Sequence, residues 1–285
     1  MLSEKKAYAK INLTLDLTCV LPDRYHGIFT VMQSVGLYDT VTVETVPGDE
    51  IILVCSDPNI PCDSRNTAYK AASYFFNAAG KSSGLKITVE KNIPSQAGLA
   101  GGSADAAAVL CALYELFPGT VDENALYDIA LRVGADVPFC LAGGTRLCQN
   151  KGEIMSALPH LKAYAVLVKP EENVSTKEAY MQFDSSSEVL HPDNEKYLFY
   201  AALGDYRKAA AYAANVFEEL TDVYSGQEIK AVMYSSGAYY AAMSGSGSAF
   251  FGLFEKEEEA VTAAGKLREK YDKVFVCETK EKGTN

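Results

Sequence analysis

The stretch Ile93 to Leu110, IPSQAGLAGGSADAAAVL, constrains this chain more than any other. Gly98, Gly101 and Gly102 fall close together, Ser103 follows, and Ala104, Ala106, Ala107 and Ala108 begin an alanine-rich run. Glycine accepts positive φ and admits a ligand where a Cβ would block it. The alanines favour a helix, with Ser103 as its expected N-cap and Asp105 suited to the positive end of the helix dipole. A glycine-rich loop that delivers unpaired N–H groups to a helix N-terminus is an anion-binding device. The alternative is a turn capping an ordinary buried helix. Leu85 to Glu90 reads as a strand, so strand, loop and helix adjoin as a phosphate site requires. The spacing matches neither the P-loop nor the G-x-G-x-x-G fingerprint. Gly80-Lys81-Ser82 looks like the end of a P-loop, but Phe75 stands where its first glycine belongs.

Composition narrows the partners. A chain of 285 residues that is 48% hydrophobic and 22% charged is an ordinary soluble globular protein, and two lobes are expected. No apolar run reaches the length of a membrane span, and Ser3, Glu4, Lys5 and Lys6 do not open a signal peptide. The seven cysteines are scattered without a C-x-x-C pair, which fits a reduced cytoplasmic protein and neither a disulfide scaffold nor a zinc site. The net charge of −11 argues against nucleic acid. Any anionic ligand must therefore be held by helix N-termini, peptide N–H groups, a few cations and Mg²⁺.

From Tyr8 to Thr18 the chain alternates, with Ile11, Leu13, Leu15 and Leu17 on one side and Lys10, Asn12, Thr14 and Asp16 on the other. This predicts a half-buried strand with Lys10 and Asn12 on its polar face. A lysine so placed is ordinarily just solvated. Pro22 and Asp23 mark a turn before Tyr25 and His26, a pair able to stack on and hydrogen-bond a base or simply to pack at a strand start. Ile51 to Cys55 reads as a strand, and Asn66 to Ala79 and Asp122 to Val133 as helices. In Gly134-Ala135-Asp136-Val137-Pro138-Phe139, Pro138 biases Val137 away from helix. Asp136, alone among apolar neighbours, is either a turn residue or a catalytic group facing a cleft. Strands are expected at Gly143 to Gln149 and Ala163 to Lys169, and the second lobe from about Ser156. There, Ser175 to Phe183, Lys196 to Leu220 and Gln227 to Ser235 read as mainly helical. Ser244-Gly245-Ser246-Gly247-Ser248 makes a tight turn between the strand-like runs Ala238 to Met243 and Ala249 to Phe254. A helix from Lys256 to Lys270 and a strand from Lys273 to Cys277 close the chain.

Four signals in order, AKIN, IPSQAGLAGGSADAAA, GADVPF and MSGSGSAFF, resemble the GHMP kinases, which are ATP-dependent small-molecule kinases. LPDRYH preceding TVMQSVGLYDTV is similar to the branch whose acceptor is a cytidyl diphosphate methylerythritol. The resemblance implies a two-lobed α+β GHMP kinase fold, with an N-terminal lobe like ribosomal protein S5 domain 2 over residues 1–155 and a ferredoxin-like C-terminal lobe over 156–285. It implies transfer of the ATP γ-phosphoryl group to the methylerythritol 2-hydroxyl. Asp136 is then the general base, and Lys10 the cation that keeps it ionised and oriented. Pro94, Ser95, Gln96, Ala97, Gly98, Leu99, Ala100, Gly101, Gly102, Ser103 and Ala104 would cradle the phosphates, with Mg²⁺ bridging them. Asn66 and Lys91 match the nucleotide side, and Asn12 a polar contact near the methylerythritol. Tyr25 and His26 match the cytosine pocket, with Tyr180 on the opposite face of the base. Gly245 and Gly247 match a third motif that supports the active-site floor. No side-chain metal ligand is singled out, and a monomer or weak homodimer is expected. The chain departs from the pattern R-P-D-G-Y-H at Leu21 and Arg24, and from the loop pattern at Ala100 and Ala104. Homoserine or mevalonate-type kinases keep the fold and change the acceptor, but the Tyr-His pair and GADVP argue against both. A catalytically silent nucleotide-binding module would not need Lys10 and Asp136, and an RNA-binding role conflicts with the acidity of the chain.

Overall fold

Two long antiparallel strands, β1 (Leu2–Val20) and β2 (His26–Val46), organise the computed structural model, which describes residues 1–22 and 26–284. The alternation of β1 is present, but the strand is not half-buried. Lys10, Asn12, Thr14 and Asp16 are as buried as Ile11 and Leu13. Register shifts between Tyr8 and Lys10, Asn12 and Thr14, and Leu17 and Cys19 interrupt its pairing with β2. Such bulges bend a strand and re-aim its side chains. Ala7, Ala9, Ile11 and Leu13 pack into one core while Leu15 and Leu17 pack into another. The polar face between them is covered by residues of the second lobe, so local periodicity could not register its burial.

β3 (Ile51–Cys55), β4 (Gly84–Glu90), β5 (Thr145–Asn150) and β6 (Ile154–Ala157) complete the first sheet, in the order β3-β4-β2-β5-β6 with β1 on β2. The helices α1 (Thr67–Ala79), α2 (Gly101–Leu116), α3 (Glu123–Val133) and α4 (Val137–Ala142) belong to the same lobe. α1 starts where expected because Asn66 caps it through Ala68 N–H. α2 is buried along its length; Ala104, Ala106, Ala107, Ala108 and Ala112 are small enough to let α1 and β1 approach closely.

Two local expectations are corrected. The N-cap of α2 is Ala100, left-handed at φ 57° and without a side-chain cap bond, so Ser103 lies inside the first turn. Val137 is helical after all: Pro138 sits in the first turn of α4, where the N–H that proline lacks would be unpaired anyway.

The second lobe begins with β7 (Tyr164–Lys169), followed by α5 (Thr176–Ser185), α6 (Asn194–Ala202) and α7 (Tyr206–Ala209). The mainly helical stretch expected across 196–220 is helical in separate pieces, α6, α7 and a short 3-10 turn over Ala210–Tyr212. Gly204 turns the chain at φ 76° and Asp205 caps a new short helix, after which Leu15 pairs with Asn215. Then come α8 (Gly226–Ser235), β8 (Tyr240–Met243), β9 (Phe250–Phe254), α9 (Glu257–Arg268) and β10 (Lys273–Glu278). The sheet order β10-β7-β9-β8, all antiparallel, with α8 and α9 as the crossovers, is the ferredoxin-like β-α-β-β-α-β arrangement. β6 straddles the expected division between 155 and 156, and the chain enters the second sheet only at Tyr164. Beyond β10 it returns to the first lobe, where Lys280 N–H donates to Ser34 O at 2.8 Å and Thr284 N–H to Cys140 O at 3.1 Å. Among the described residues no helix is long and apolar enough to cross a membrane.

Candidate active site

A cavity of about 550 Å³ lies between the lobes, and the whole run Pro94 to Ser103 lines it. No N–H from Gly98 to Ser103 donates to a backbone carbonyl among the described residues. Those donors converge at the N-terminus of α2, where the helix dipole adds its positive end. The loop holds this shape through tight contact with the turn before β9. A Cβ on Gly98 would stand 2.0 Å from Ser244 O. Ser244 Oγ donates to Gly98 O at 3.0 Å, and Ala249 N–H to Ala97 O at 3.1 Å. Gln96 and Ala100 are held at φ 53° and 57°, a conformation L-residues disfavour. Ala104 is a correction: it is fully buried in the core and does not line the cavity, because the helix is already turning it inward.

On the cavity floor Lys10 Nζ stands 3.8 Å from Asp136 Oδ2. Asp136 occupies the N-cap position of α4 but makes no side-chain cap bond, so its carboxylate is not committed to the helix. Lys10 is held by the bulged β1, with Nζ donating to Asn12 Oδ1 at 2.6 Å while Asn12 Nδ2 donates to Thr30 Oγ1 at 2.8 Å. Gly245, at φ 59°, closes over the same ammonium; a Cβ there would come within 3.4 Å of Lys10 Nζ. The nearby Cys140 and Cys148 thiols are pushed up by burial and by the Asp136 charge, so neither supplies a thiolate to the floor.

Asn66 and Lys91 also line the cavity, yet their side chains are engaged elsewhere. Asn66 caps α1 and donates to Pro61 O at 2.8 Å. The Lys91 ammonium lies between Asp39 and Asp105, and donates to Asp105 Oδ2 at 2.8 Å. Asp39 Oδ1 in turn accepts the Asn92 and Ile93 N–H groups at 2.5 and 2.8 Å. This buried triad ties β2, the entry to the loop and α2 together. Burial pushes the Asp105 carboxyl up to about 7, with Lys91 working against the shift, and its Oδ1 has no partner. Burial alone would lower Lys91, but the two carboxylates raise it. Among the described residues no group of three or more His, Cys, Asp or Glu side chains is placed to hold a metal by itself.

On the opposite side Tyr180 lines the cavity, its ring 4.9 Å from that of Phe217. His26 is not part of the lining but touches Tyr180, with centroids 5.3 Å apart. A base between two rings needs two contact spacings, about 7 Å in all, so none fits between His26 and Tyr180 as they stand. Tyr25, like Arg24, lies outside the described residues.

Sequence reasoning missed Asp39 as the anchor of the loop entry and Asn215, whose Nδ2 donates to Met243 O and Gly245 O, both at 2.8 Å. It also missed Thr67, which donates to Gly102 O at 2.6 Å. Asp39 carried a signal, a carboxylate inside a β-branched run; Asn215 and Thr67 carried none.

Known proteins share this architecture. The GHMP kinases N terminal domain matches residues 66–144 and the GHMP kinases C terminal domain residues 204–273. The 4-diphosphocytidyl-2-C-methyl-D-erythritol kinase of Caldicellulosiruptor saccharolyticus is 42% identical over 276 residues, covering 96% of this chain and 93% of its own. That of Clostridium tetani is 39% identical over 277 residues, covering 96% and 99%. A crystal structure of 4-(cytidine 5'-diphospho)-2C-methyl-D-erythritol kinase superposes with TM-score 0.82 at 34% identity, covering 97% of this chain and 99% of that one. Homoserine kinase from Cytophaga hutchinsonii shares the fold, with TM-score 0.79 at 18% identity over 100% of this chain and 96% of its own.

Proposed function

Because the chain belongs to the GHMP kinases, in the family of 4-diphosphocytidyl-2-C-methyl-D-erythritol kinases, we propose that it phosphorylates the 2-hydroxyl of 4-diphosphocytidyl-2-C-methyl-D-erythritol with ATP. The observation that carries this reading is the approach of Lys10 to Asp136, 3.8 Å apart, beside a loop of unpaired N–H groups. A tertiary alcohol is a weak nucleophile. Asp136 accepts its proton as the oxygen attacks the γ-phosphorus, and the bond to the β,γ-bridging oxygen breaks to release ADP. General-base help of this kind is worth about 10²–10⁴ in rate. Lys10 orients the carboxylate, offsets its charge and favours the developing alkoxide. The rest is positioning, for which the amides of Gly98 to Ser103 take the phosphates. Asn12, bonded to Lys10, faces the methylerythritol part, and His26 with Tyr180 takes the cytosine side.

Mg²⁺ is held in such sites by one or two carboxylates together with the phosphates. The orphaned Oδ1 of Asp105 and the Ser103 hydroxyl, both on residues lining the cavity, fit that requirement. When bound, the ion neutralises charge on the phosphates. The proposal is tested by coupled measurement of ADP release with the cytidyl diphosphate alcohol, homoserine and mevalonate as acceptors. Turnover with the first alone is expected. Comparable turnover with homoserine or mevalonate would overturn the substrate assignment while leaving the kinase chemistry intact.

A further inference from the structure

His26 is joined to α5 by three contacts. Its Nε2 lies 2.8 Å from Asp184 Oδ1, and its ring meets those of Tyr180 at 5.3 Å and Phe183 at 5.8 Å. The side chain of Asp184 is 58% exposed, and that of His26 only 12%. A polar contact so open to solvent adds little to stability, which leaves the orientation of the ring as what it controls. We propose that Asp184 is a positioning residue that sets the tautomer of His26 and thereby selects cytosine over uracil in the acceptor. This rests on the reading of His26 as the residue that hydrogen-bonds the base.

The argument follows the hydrogens. An ionised carboxylate only accepts, so Nε2 carries the hydrogen shared with Asp184. In the neutral ring Nδ1 is then an acceptor, since the bond made by one nitrogen decides the state of the other. Nδ1 has no partner among the described residues. Cytosine presents an amino donor at its 4-position, where uracil presents a carbonyl acceptor. An acceptor on the protein pairs with the first and leaves both lone pairs unmatched with the second, the kind of mismatch that discriminates strongly. The tilted Tyr180 ring and the edge-on Phe183 ring, at 47° and 84° to the imidazole, oppose the half-turn that would exchange its nitrogens for carbons. Tyr180 is itself backed by Phe217, so α5 presents a braced surface to the ring.

The test combines specificity with spectroscopy. The ratio of kcat/KM for the cytidine diphosphate alcohol to that for its uridine counterpart should fall about tenfold or more in Asp184→Ala, with KM for ATP unchanged. Asp184→Asn should restore most of it, because the amide oxygen accepts the same hydrogen. The chain has three histidines, so their ¹⁵N resonances can be assigned by single substitution. His26 should show a hydrogen-bearing Nε2 and a bare Nδ1, and a mixture of tautomers in Asp184→Ala. A hydrogen-bearing Nδ1 in the wild type would overturn the proposal. So would an unchanged ratio in Asp184→Ala where His26→Ala collapses it. An unchanged KM for the cytidyl acceptor in His26→Ala would overturn the reading of His26 itself, and the part of Asp184 with it.

Discussion

At the scale of single residues, the proposed function divides the charges around the cavity into reactive and supporting ones. Asp136 has a committed neighbour in Lys10 but no bond to its own helix. Asp136→Ala should therefore lower kcat by about 10²–10⁴ while nucleotide affinity stays nearly constant; a variant retaining more than about a tenth of wild-type kcat would remove Asp136 as the base. Lys10→Met keeps most of the buried volume and deletes the charge, so steady-state kinetics should report a loss of about 10² or more in kcat with little change in nucleotide binding. Lys91 belongs to the supporting group. Removing its ammonium leaves Asp39 and Asp105 buried beside each other without compensation, so Lys91→Met should lose about 3–5 kcal/mol in urea unfolding. Unchanged stability with a raised KM for ATP would instead make Lys91 a phosphate ligand. The difference in legibility has a physical cause. Lys10 and Asn12 could be placed together because they are two positions apart on one strand face. The partners of Lys91 lie 52 and 14 positions away, and an ion pair assembled by tertiary folding leaves no local period to read.

At the scale of elements, the sequence was most legible where capping and periodicity agree, and least where a site demanded an unfavourable local choice. α1, with Asn66 before it and a left-handed Gly80 after it, lies within a residue of its expected bounds. The start of α2 does not, since Ser103 has the chemistry of a cap but Ala100 holds the position. A side-chain cap would occupy N–H groups that the proposed phosphate site needs open, and the loop has none. The strain this leaves at Ala100 is testable. A left-handed alanine costs about 1–2 kcal/mol, while glycine adds unfolded-state entropy worth about 0.5–1 kcal/mol. Ala100→Gly should thus gain up to about 1 kcal/mol, a rise of roughly 2–4 °C in Tm for a chain of this size. A fall in Tm would mean that the alanine methyl, not the backbone angle, decides the balance. The same logic explains the broken 196–220 segment. Its composition favours helix, but residues 213–215 run as an extended brace against β1 before a turn, with Leu15 N–H donating to Ala214 O at 2.9 Å and Val216 N–H to Leu15 O at 3.1 Å.

At the scale of the molecule, that brace bears on how the lobes come apart. Two sheets with two cores would ordinarily unfold in two steps, since chains of this length often lose two-state behaviour. Here the boundary is crossed repeatedly. β1 contributes Ile11 and Leu13 to one core and Leu15 and Leu17 to the other. Asn215 bonds the turn that closes over Lys10, and the C-terminal segment returns to pair with Ser34 and Cys140. Freeing the second lobe would expose Leu15 and Leu17 of β1 to water and break the hydrogen bonds from the Asn12 N–H to Ser244 Oγ, from Thr14 Oγ1 to the Ala214 carbonyl and from Asn194 Nδ2 to Asp16 Oδ2. Each such hydrogen bond is worth about 0.5–1.5 kcal/mol net, and each bared leucine about 1.5–3 kcal/mol, which together make a half-folded species unfavourable. Urea unfolding should accordingly show one transition, with coincident midpoints by far-ultraviolet circular dichroism and by the near-ultraviolet signal of the 18 tyrosines. Nucleotide, bound as proposed in a cavity to which both lobes contribute, should raise that midpoint without splitting it. Two resolved transitions, with nucleotide shifting only one, would mean that the lobes are energetically independent and that the cavity floor belongs to the first lobe alone.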